Sequence, residues 1–392
     1  MTPLSPIGGH VSVTGGLAKG GLQYASDIGA EMIQVFVTNP RGWALAAGNP
    51  AQDAKLRDSG VLSFVHAPYL VNLGSPSADT LDKSLATLRH GLLRAQAIGA
   101  KGLVVHTGSA VSQSRDDAMR QVRERLLPLL EEIPDDGPDL LLESMAGQAG
   151  MLCRTVQDLE PYLEALEWHP KAGVCFDTCH SFSAGHDLST SEGVKETLDA
   201  LQAIAPGRLK LIHANDSKDE CGSSRDRHAN LGAGHIGVLP FMDMLRHPVA
   251  AGVPFCIETP GGVEKHRADI EVLKKLREGE VPDLTTVTVE VDSVEISSVE
   301  VEETEARETP ARKTRVRRTK VRKTEIHSVE VRETEAGGAG VRETEVSEVG
   351  EVTEVSGVEV RDVEVRDVGT DAVEIPASRP EASIPQPSKS AR

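Results

Sequence analysis

The chain has 392 residues, a formal net charge of −18 at pH 7 and only 3% aromatic residues. Every aromatic residue lies at or before Phe255 and no leucine follows Leu284, so the last third lacks the large side chains that a packed core needs. We therefore divide the chain into a globular part, residues 1–280, and a tail, residues 281–392. Each part has a net charge of −9, which makes nucleic acid a poor candidate partner unless the carboxylates are neutralised by bound metal.

No apolar run of transmembrane length occurs in the sequence, and no basic region followed by an apolar stretch stands at Met1. We expect a soluble, cytoplasmic protein that does not bind membranes. The five cysteines show no CxxC spacing, which favours buried free thiols over a disulfide framework or a thiolate zinc site.

Short runs of Val, Ile and Leu alternate with segments of helical period between residues 7 and 278, a rhythm typical of βα units and a parallel sheet. The predicted strands are Ile7–Val13, Glu31–Val37, Leu62–His66, Gly102–His106, Asp139–Glu143, Gly173–Asp177, Leu209–His213 and Val253–Glu258. The clearest of the intervening helices are Thr80–Ala97, Asp116–Glu132, Thr155–Trp168, Val194–Ala205 and His266–Arg277. Eight such units predict an α/β fold of the (β/α)8 TIM-barrel type. A doubly wound open sheet is the alternative, but no GxGxxG loop opens the first helix.

The tail repeats VRETE at 331–335 and 341–345, and VEVRD at 358–362 and 363–367. Valine alternating with charge is compatible with strands, but little apolar surface is available to bury, so we expect the tail to be disordered. Within it, residues 312–323 hold eight basic residues and no acidic one. This segment is either a tether that tracks phosphates or a solvated block whose charge the flanking glutamates compensate.

Six consecutive predicted strands, the third to the eighth, end in or are followed by residues of metal-ligand type. These are His66, His106, Glu143, Asp177 with His180, His213 and Glu258, and the loop after the seventh strand adds Asp226 and His228. In a barrel the carboxyl ends of all strands meet on one face. Burying four carboxylates and five imidazoles there without compensation would cost several kcal/mol per charge, so the pattern predicts a multinuclear metal site. Ligation by imidazole and carboxylate without thiolate favours zinc, with manganese or iron as competitors, and nine ligands suit three ions.

The motifs resemble those of the endonuclease IV family of zinc-dependent apurinic/apyrimidinic endonucleases over about residues 7–277. They are HVS with GGL near His10, NPRGW, HAPYLVNLGS, HTGS, ESMAGQ, DTCHSFSAGHDL, HANDSK, DRHANLGAGHIG and IETPGG. The resemblance implies a monomeric DNA-repair enzyme that cleaves 5′ to abasic sites in duplex DNA, giving a 3′-hydroxyl and a 5′-deoxyribose phosphate, and that also trims blocked 3′ ends.

The resemblance also implies three zinc ions per chain. The first would be held by His66, His106 and Glu143, the second by Glu143, Asp177, His213 and Glu258, and the third by His180, Asp226 and His228. A hydroxide bridging two zinc ions would be the nucleophile, because coordination lowers the pKa of water. By the same resemblance Glu143 would bridge the first two ions, and Glu258 would have a second role in orienting the nucleophile.

Family members insert side chains through the minor groove from the loops after the second and third strands. The matching residues are Arg41, Tyr69 and Leu70, which would contact DNA as the abasic nucleotide leaves the helix. Packing within the loop is the alternative for Tyr69 and Leu70, and an ordinary surface charge is the alternative for Arg41.

Two other functions remain open at the level of sequence. A sugar isomerase or epimerase on the same type of barrel would need one or two metals, and the segment that contains Asp226 and His228 argues against it. A scaffold whose tail is the working part would have no need for nine metal ligands.

Overall fold

The computed structural model describes residues 4–281 and, beyond them, the backbone of residues 288–303, 319–334 and 341–347. Eight parallel strands close into a barrel in the order β1-β2-β3-β4-β5-β6-β7-β10. These strands are β1 (Ile7–His10), β2 (Met32–Val35), β3 (Leu62–His66), β4 (Gly102–His106), β5 (Asp139–Glu143), β6 (Ala172–Asp177), β7 (Leu209–His213) and β10 (Phe255–Ile257). A short antiparallel ribbon, β8 (Asp216–Ser217) with β9 (His228–Ala229), lies in the loop after β7. The prediction of a TIM barrel is therefore confirmed.

Helices surround the barrel and follow the strands in sequence. They are α1 (Leu17–Ile28), α2 (Pro50–Asp58), α3 (Ala78–Ile98), α4 (Arg115–Glu131), α5 (Leu159–Ala165), α6 (Thr178–Ala184), α7 (Ser191–Ile204), α8 (Leu239–Arg246) and α9 (Val263–Glu278). Helix α3 shows why these segments are helical. The Ser77 hydroxyl accepts from the Thr80 amide at its start, Leu81, Leu88 and Leu92 are buried along one face, and Gly99 ends it in the left-handed region.

The interior of the barrel is built in layers, because side chains two residues apart on a strand point to the same side of the sheet. A buried apolar layer consists of Met32, Phe64, Val104, Leu141, Cys175, Leu211 and Cys256. On β1 the matching position is Gly8, which lies in register with Met32 and Cys256. A Cβ atom at Gly8 would lie 1.8 Å from the Met32 carbonyl oxygen, so only glycine allows the strands to approach this closely.

Strand boundaries predicted from sequence agree with the structure on β3, β4, β5 and β7 and are too long by a few residues on β1, β2 and β10. The predicted helix Thr155–Trp168 is shorter in the structure. A 3-10 turn, Val156–Asp158, precedes α5, and the chain leaves the helix where Glu167 and Trp168 take φ values of 52°. Of the cysteines, which we expected to be buried, four are, whereas Cys221 is exposed.

In the tail, the described backbone forms an antiparallel sheet of three strands, β11 (Thr288–Glu303), β12 (Thr319–Thr334) and β13 (Val341–Ser347). In these strands valine alternates with polar and charged residues. Residues 282–287, 304–318, 335–340 and 348–392 lie outside the described residues, as does most of the basic segment 312–323. The domain boundary near residue 280 stays a prediction. The disorder that we expect for the tail stays a prediction for the residues outside β11, β12 and β13. Among the described helices, none combines the length and apolar character needed to cross a membrane.

Candidate metal centre

A ring of polar side chains lies one layer above the apolar layer, at the carboxyl ends of all eight barrel strands. Its members are His10, Gln34, His66, His106, Glu143, Asp177, His213 and Glu258, the last directly after β10. Each stands two residues after Gly8 or a member of the apolar layer, and therefore faces the barrel interior. The pleat of the strands thus brings together residues that are far apart in the sequence.

Glu143 lies at the centre of this ring and is fully buried. Its Oε2 atom is 3.2 Å from His66 Nε2 and 3.5 Å from His106 Nε2. Its other oxygen, Oε1, is 3.1 Å from His213 Nδ1. The two carboxylate oxygens therefore face two different groups of imidazoles, the arrangement that a bridging ligand would have.

His213 also lies close to two further carboxylates. Its Nδ1 atom is 3.2 Å from Glu258 Oε2 and 3.6 Å from Asp177 Oδ2. One donor atom from each of Glu143, Asp177, His213 and Glu258 lies within 4.8 Å of the others, and the same holds for His66, His106 and Glu143. The structure thus brings together the first and second predicted ligand sets, although the assignment of these residues as ligands stays a prediction.

Asp226 organises the third set. Its Oδ1 atom is 3.2 Å from His180 Nε2 and 3.2 Å from His228 Nε2. His180 stands in the first turn of α6, where its amide donates to the Asp177 carboxylate at the helix start. His228 lies in the ribbon β8–β9, so a helix start and a ribbon after two different strands supply this set.

Three of these imidazoles have one ring nitrogen bonded to a backbone carbonyl. The distances are 2.7 Å for His66 Nδ1, 2.9 Å for His180 Nδ1 and 3.2 Å for His228 Nδ1. A carbonyl oxygen can only accept, so Nδ1 carries the hydrogen in each ring. In a neutral ring the lone pair of Nε2 then faces a carboxylate, an arrangement that needs a cation between the two groups.

The donor atoms therefore fit metal ions. The Nε2 atom of His228 is buried and has no hydrogen-bond partner, although Asp226 lies beside it. An orphaned buried nitrogen beside a carboxylate is a costly pair of groups without a cation to satisfy both. The imidazole and carboxylate donors of the three sets favour zinc among the common divalent ions.

The electrostatics of the cluster keep Glu143 and His106 in the forms that metals bind. Burial raises the pKa of Glu143, but the charge of His213 and its hydrogen bond outweigh burial and hold the pKa well below the ordinary value. Burial lowers the pKa of His106 to about 4. Burial also opposes the charge on His228, but the adjacent Asp226 carboxylate and the charge of Asp177 raise its pKa to about 9. Glu143 is thus ionised and His106 neutral at pH 7, whereas His228 holds a proton that a metal would displace.

A cavity of roughly 310 Å³ opens above the cluster. Tyr69 lines it and is 52% exposed, and Leu70 beside it is 38% exposed. The loop with Arg41 and the loop with Tyr69 are joined by a hydrogen bond from the Tyr69 amide to the Pro40 carbonyl, 3.0 Å long. The three residues proposed as DNA contacts thus lie on two connected, exposed loops, and one of these loops lines the cavity through Tyr69.

Two arginines near the cluster did not stand out in the sequence. Arg225 and Arg227 flank Asp226 in the chain, and both guanidinium groups bond to Asp219, which is buried. Both arginines remain more than half exposed. They add positive charge to an acidic barrel at the edge of the site.

Sequence reasoning also missed the roles of His10 and Gln34. His10 stands out in the sequence only as part of the HVS motif, and glutamine is not one of the usual metal-ligand residue types. The detectable signal was a polar residue inside a fully buried strand, since β2 reads Met-Ile-Gln-Val and all four residues are buried.

Comparisons with known proteins agree with this fold. A family model described as a xylose isomerase-like TIM barrel matches residues 22–276. The chain is 57% identical over 282 residues to a protein of Streptomyces avermitilis named "probable endonuclease 4", which covers 70% of this chain and 91% of that protein.

Two solved structures define the likeness in three dimensions. The crystal structure of endonuclease IV from Thermus thermophilus matches with a TM-score of 0.62 and 30% identity, over 70% of this chain and 99% of that one. A D-tagatose 3-epimerase-like protein matches with a TM-score of 0.57 at 19% identity, over 70% of this chain and 97% of that one. The second likeness shows the fold alone.

Proposed function

Because the chain belongs to the endonuclease IV family, we propose that it hydrolyses the phosphodiester bond 5′ to abasic sites in duplex DNA, leaving a 3′-hydroxyl and a 5′-deoxyribose phosphate. The observation that carries the proposal is the convergence of five imidazoles and four carboxylates, with Glu143 at the centre and imidazole lone pairs directed at carboxylates. We also propose that the same site trims blocked 3′ ends, because a phosphodiester at a strand end presents the same reacting group.

Three zinc ions are proposed, with the ligand sets predicted from the sequence. His66, His106 and Glu143 would hold the first, Glu143, Asp177, His213 and Glu258 the second, and His180, Asp226 and His228 the third. Zinc bound there supplies Lewis-acid chemistry, which makes a water nucleophile available at neutral pH and offsets charge on the phosphate.

The protein's own side chains position the reaction. Glu258 has one oxygen directed at His213 and the other held by Gln34 and His10, so its carboxylate is fixed at the edge of the cavity. We propose that Glu258 orients a water molecule from this position. The cluster lines a cavity of about 310 Å³, and we propose that the abasic nucleotide leaves the helix to reach it.

The test is incision of an end-labelled duplex with one tetrahydrofuran abasic analogue, by purified protein without added magnesium. The analogue cannot undergo β-elimination, so a cut on its 5′ side reports hydrolysis. We expect His106→Ala to lose at least one metal and to lower the incision rate by a factor of about 100 or more, on the order of 3 kcal/mol in the barrier.

His169→Ala is the matched control, since His169 lies on the loop before β6 and outside the cluster. Absence of incision by folded, zinc-loaded protein would exclude the proposal and favour a sugar isomerase or epimerase on this barrel. Protein without bound zinc would favour a scaffold.

A further inference from the structure

Gln34 is a fully buried amide that contacts two of the four donors in the second ligand set. Its Oε1 atom is 2.9 Å from His213 Nε2. Its Nε2 atom is 2.6 Å from Glu258 Oε1 and 3.1 Å from His10 Nδ1. The amide therefore uses its acceptor on one side and both of its donor hydrogens on the other.

The carboxylate of Glu258 fixes the orientation of this amide. A carboxylate accepts only, so the NH₂ group of Gln34 has to face Glu258, and the carbonyl oxygen has to face His213. His213 must then donate from Nε2. Its Nδ1 atom is left for the cluster, where Glu143, Glu258 and Asp177 surround it.

We propose that Gln34 is a positioning residue for the metal of the second set, and that it acts by fixing the ring tautomer of His213 and the carboxylate orientation of Glu258. This inference rests on the ligand sets of the proposed function. Gln34 differs in role from the partners of His66, His180 and His228, whose tautomers are set by backbone carbonyls that no substitution of a side chain removes. His213 is held by a side chain instead, so its tautomer can be changed by mutation.

The effect of Gln34 is confined to one set. Among the described residues, its side-chain hydrogen bonds reach His10, His213 and Glu258, and none reaches a residue that belongs only to the first or third set. Outer partners of metal ligands typically contribute about 10–100-fold to metal affinity. Removing the amide should therefore weaken the binding of one metal ion and leave the binding of the other two unchanged.

The experiment compares full-length wild type with Gln34→Met, which keeps the approximate volume and removes all three hydrogen bonds. Both proteins are loaded with Zn²⁺, and bound zinc is counted by elemental analysis during titration with a chelator. We expect one of three zinc ions to bind about 10–100-fold more weakly in the variant. Unchanged affinity for all three ions would overturn the inference.

Gln121→Met is the matched control, because Gln121 also donates two side-chain hydrogen bonds, to the carbonyls of Leu73 and Ser75. We expect it to bind zinc as wild type does. Equal weakening of every site, or the same loss in the control, would show general destabilisation and refute the role of Gln34.

A measurement on wild type needs no variant to fold. Nitrogen NMR of the zinc-loaded protein, with His213 assigned from a His213→Asn sample, should show His213 protonated at Nε2 with Nδ1 as the ligand; the reverse tautomer would refute the inference. Incision of the abasic duplex is measured separately. If zinc-loaded wild type failed to incise, the proposed function would be refuted and the role of Gln34 would be unaffected. If wild type bound no zinc, both the proposed function and the role of Gln34 would be refuted.

Discussion

Tyr69 is supported on one side of its ring and open on the other. Its ring packs edge-on against Phe36 with centroids 5.5 Å apart, and it stacks on His106 with centroids 6.0 Å apart. Burial and the charges of Glu258 and Glu143 raise the pKa of its phenol to about 12, so the hydroxyl stays neutral at pH 7. A ring held in place by its neighbours can contact a nucleotide with little further loss of side-chain freedom.

We expect the double variant Tyr69→Ala/Leu70→Ala to bind abasic duplex about 1–3 kcal/mol more weakly, the range measured when aromatic contacts to bases are removed. Its zinc content should be unchanged, since neither side chain contributes a ligand atom. Fluorescence anisotropy with a labelled abasic duplex measures the first quantity, and elemental analysis measures the second.

Leu93→Ala is the control for loss of exposed apolar surface, because Leu93 is 62% exposed and lies on α3. It should bind DNA as wild type does. Wild-type affinity in the double variant would mean that Tyr69 and Leu70 only pack within their loop.

At the scale of elements, the Glu31 carboxylate links helix α9 to strands β1 and β2. Glu31, directly before β2, accepts from the Ile7 amide of β1 at 2.9 Å. It also accepts two hydrogen bonds from Arg277 of α9, at 2.6 and 2.9 Å. Burial raises the pKa of Glu31, but these hydrogen bonds and the charge of Arg277 outweigh it and lower the pKa below the ordinary value.

Glu31→Gln should lower the free energy of unfolding at pH 7 by about 1 kcal/mol, a modest value because solvent screens this partly exposed pair. The folded-state pKa is depressed, so the stabilisation is present above the unfolded-state pKa of about 4.3 and is lost as pH falls through the folded-state value. Urea unfolding at a series of pH values should therefore show the difference between variant and wild type shrinking below about pH 4.

Glu132→Gln is the matched control. Glu132 also accepts two hydrogen bonds from one arginine, Arg89, each 2.8 Å long, but both side chains are exposed on the surface. We expect a smaller change for this pair. An equal change in both variants would contradict the view that closing the barrel gives Glu31 its larger contribution.

The barrel and most of the cluster could be predicted because strand ends carry a local signal. In β3, β4, β5 and β7 two or three apolar residues directly precede an ionisable residue at the end of the strand, and the fold then determines where that residue lies. Gln34 could not be assigned in the same way, since its role depends on contacts with His213 and Glu258, which lie 179 and 224 residues away in the chain. Pairwise geometry of this kind has no local pattern.

At the scale of the whole molecule, a chain with a net negative charge has to bind DNA, which is also negatively charged. The globular part and the tail each carry a net charge of −9, so attraction to DNA has to come from local positive charge. Three bound divalent ions would supply it in the cavity, and Arg225 and Arg227 supply it at the rim. The basic segment 312–323 is the remaining concentration of positive charge in the sequence.

If this segment is a tether that contacts phosphates, deletion of residues 285–392 should make DNA affinity less dependent on salt. The slope of log K against log salt concentration should become shallower by about 0.9 for each phosphate contact that is lost. Incision at saturating DNA should not change, because the proposed ligands all lie between His66 and Glu258. Anisotropy titrations over a range of salt concentrations measure the slope.

Deletion of residues 324–392 is the matched control, because it removes much of the tail and keeps all eight basic residues of the segment. Its slope should equal that of the full chain. The longer deletion also separates the alternatives left open by the sequence, since a segment already neutralised by neighbouring glutamates would leave the slope unchanged. An unchanged slope after the longer deletion would therefore exclude the tether, and the proposed metal site with its flanking arginines would then have to supply the electrostatic part of DNA binding.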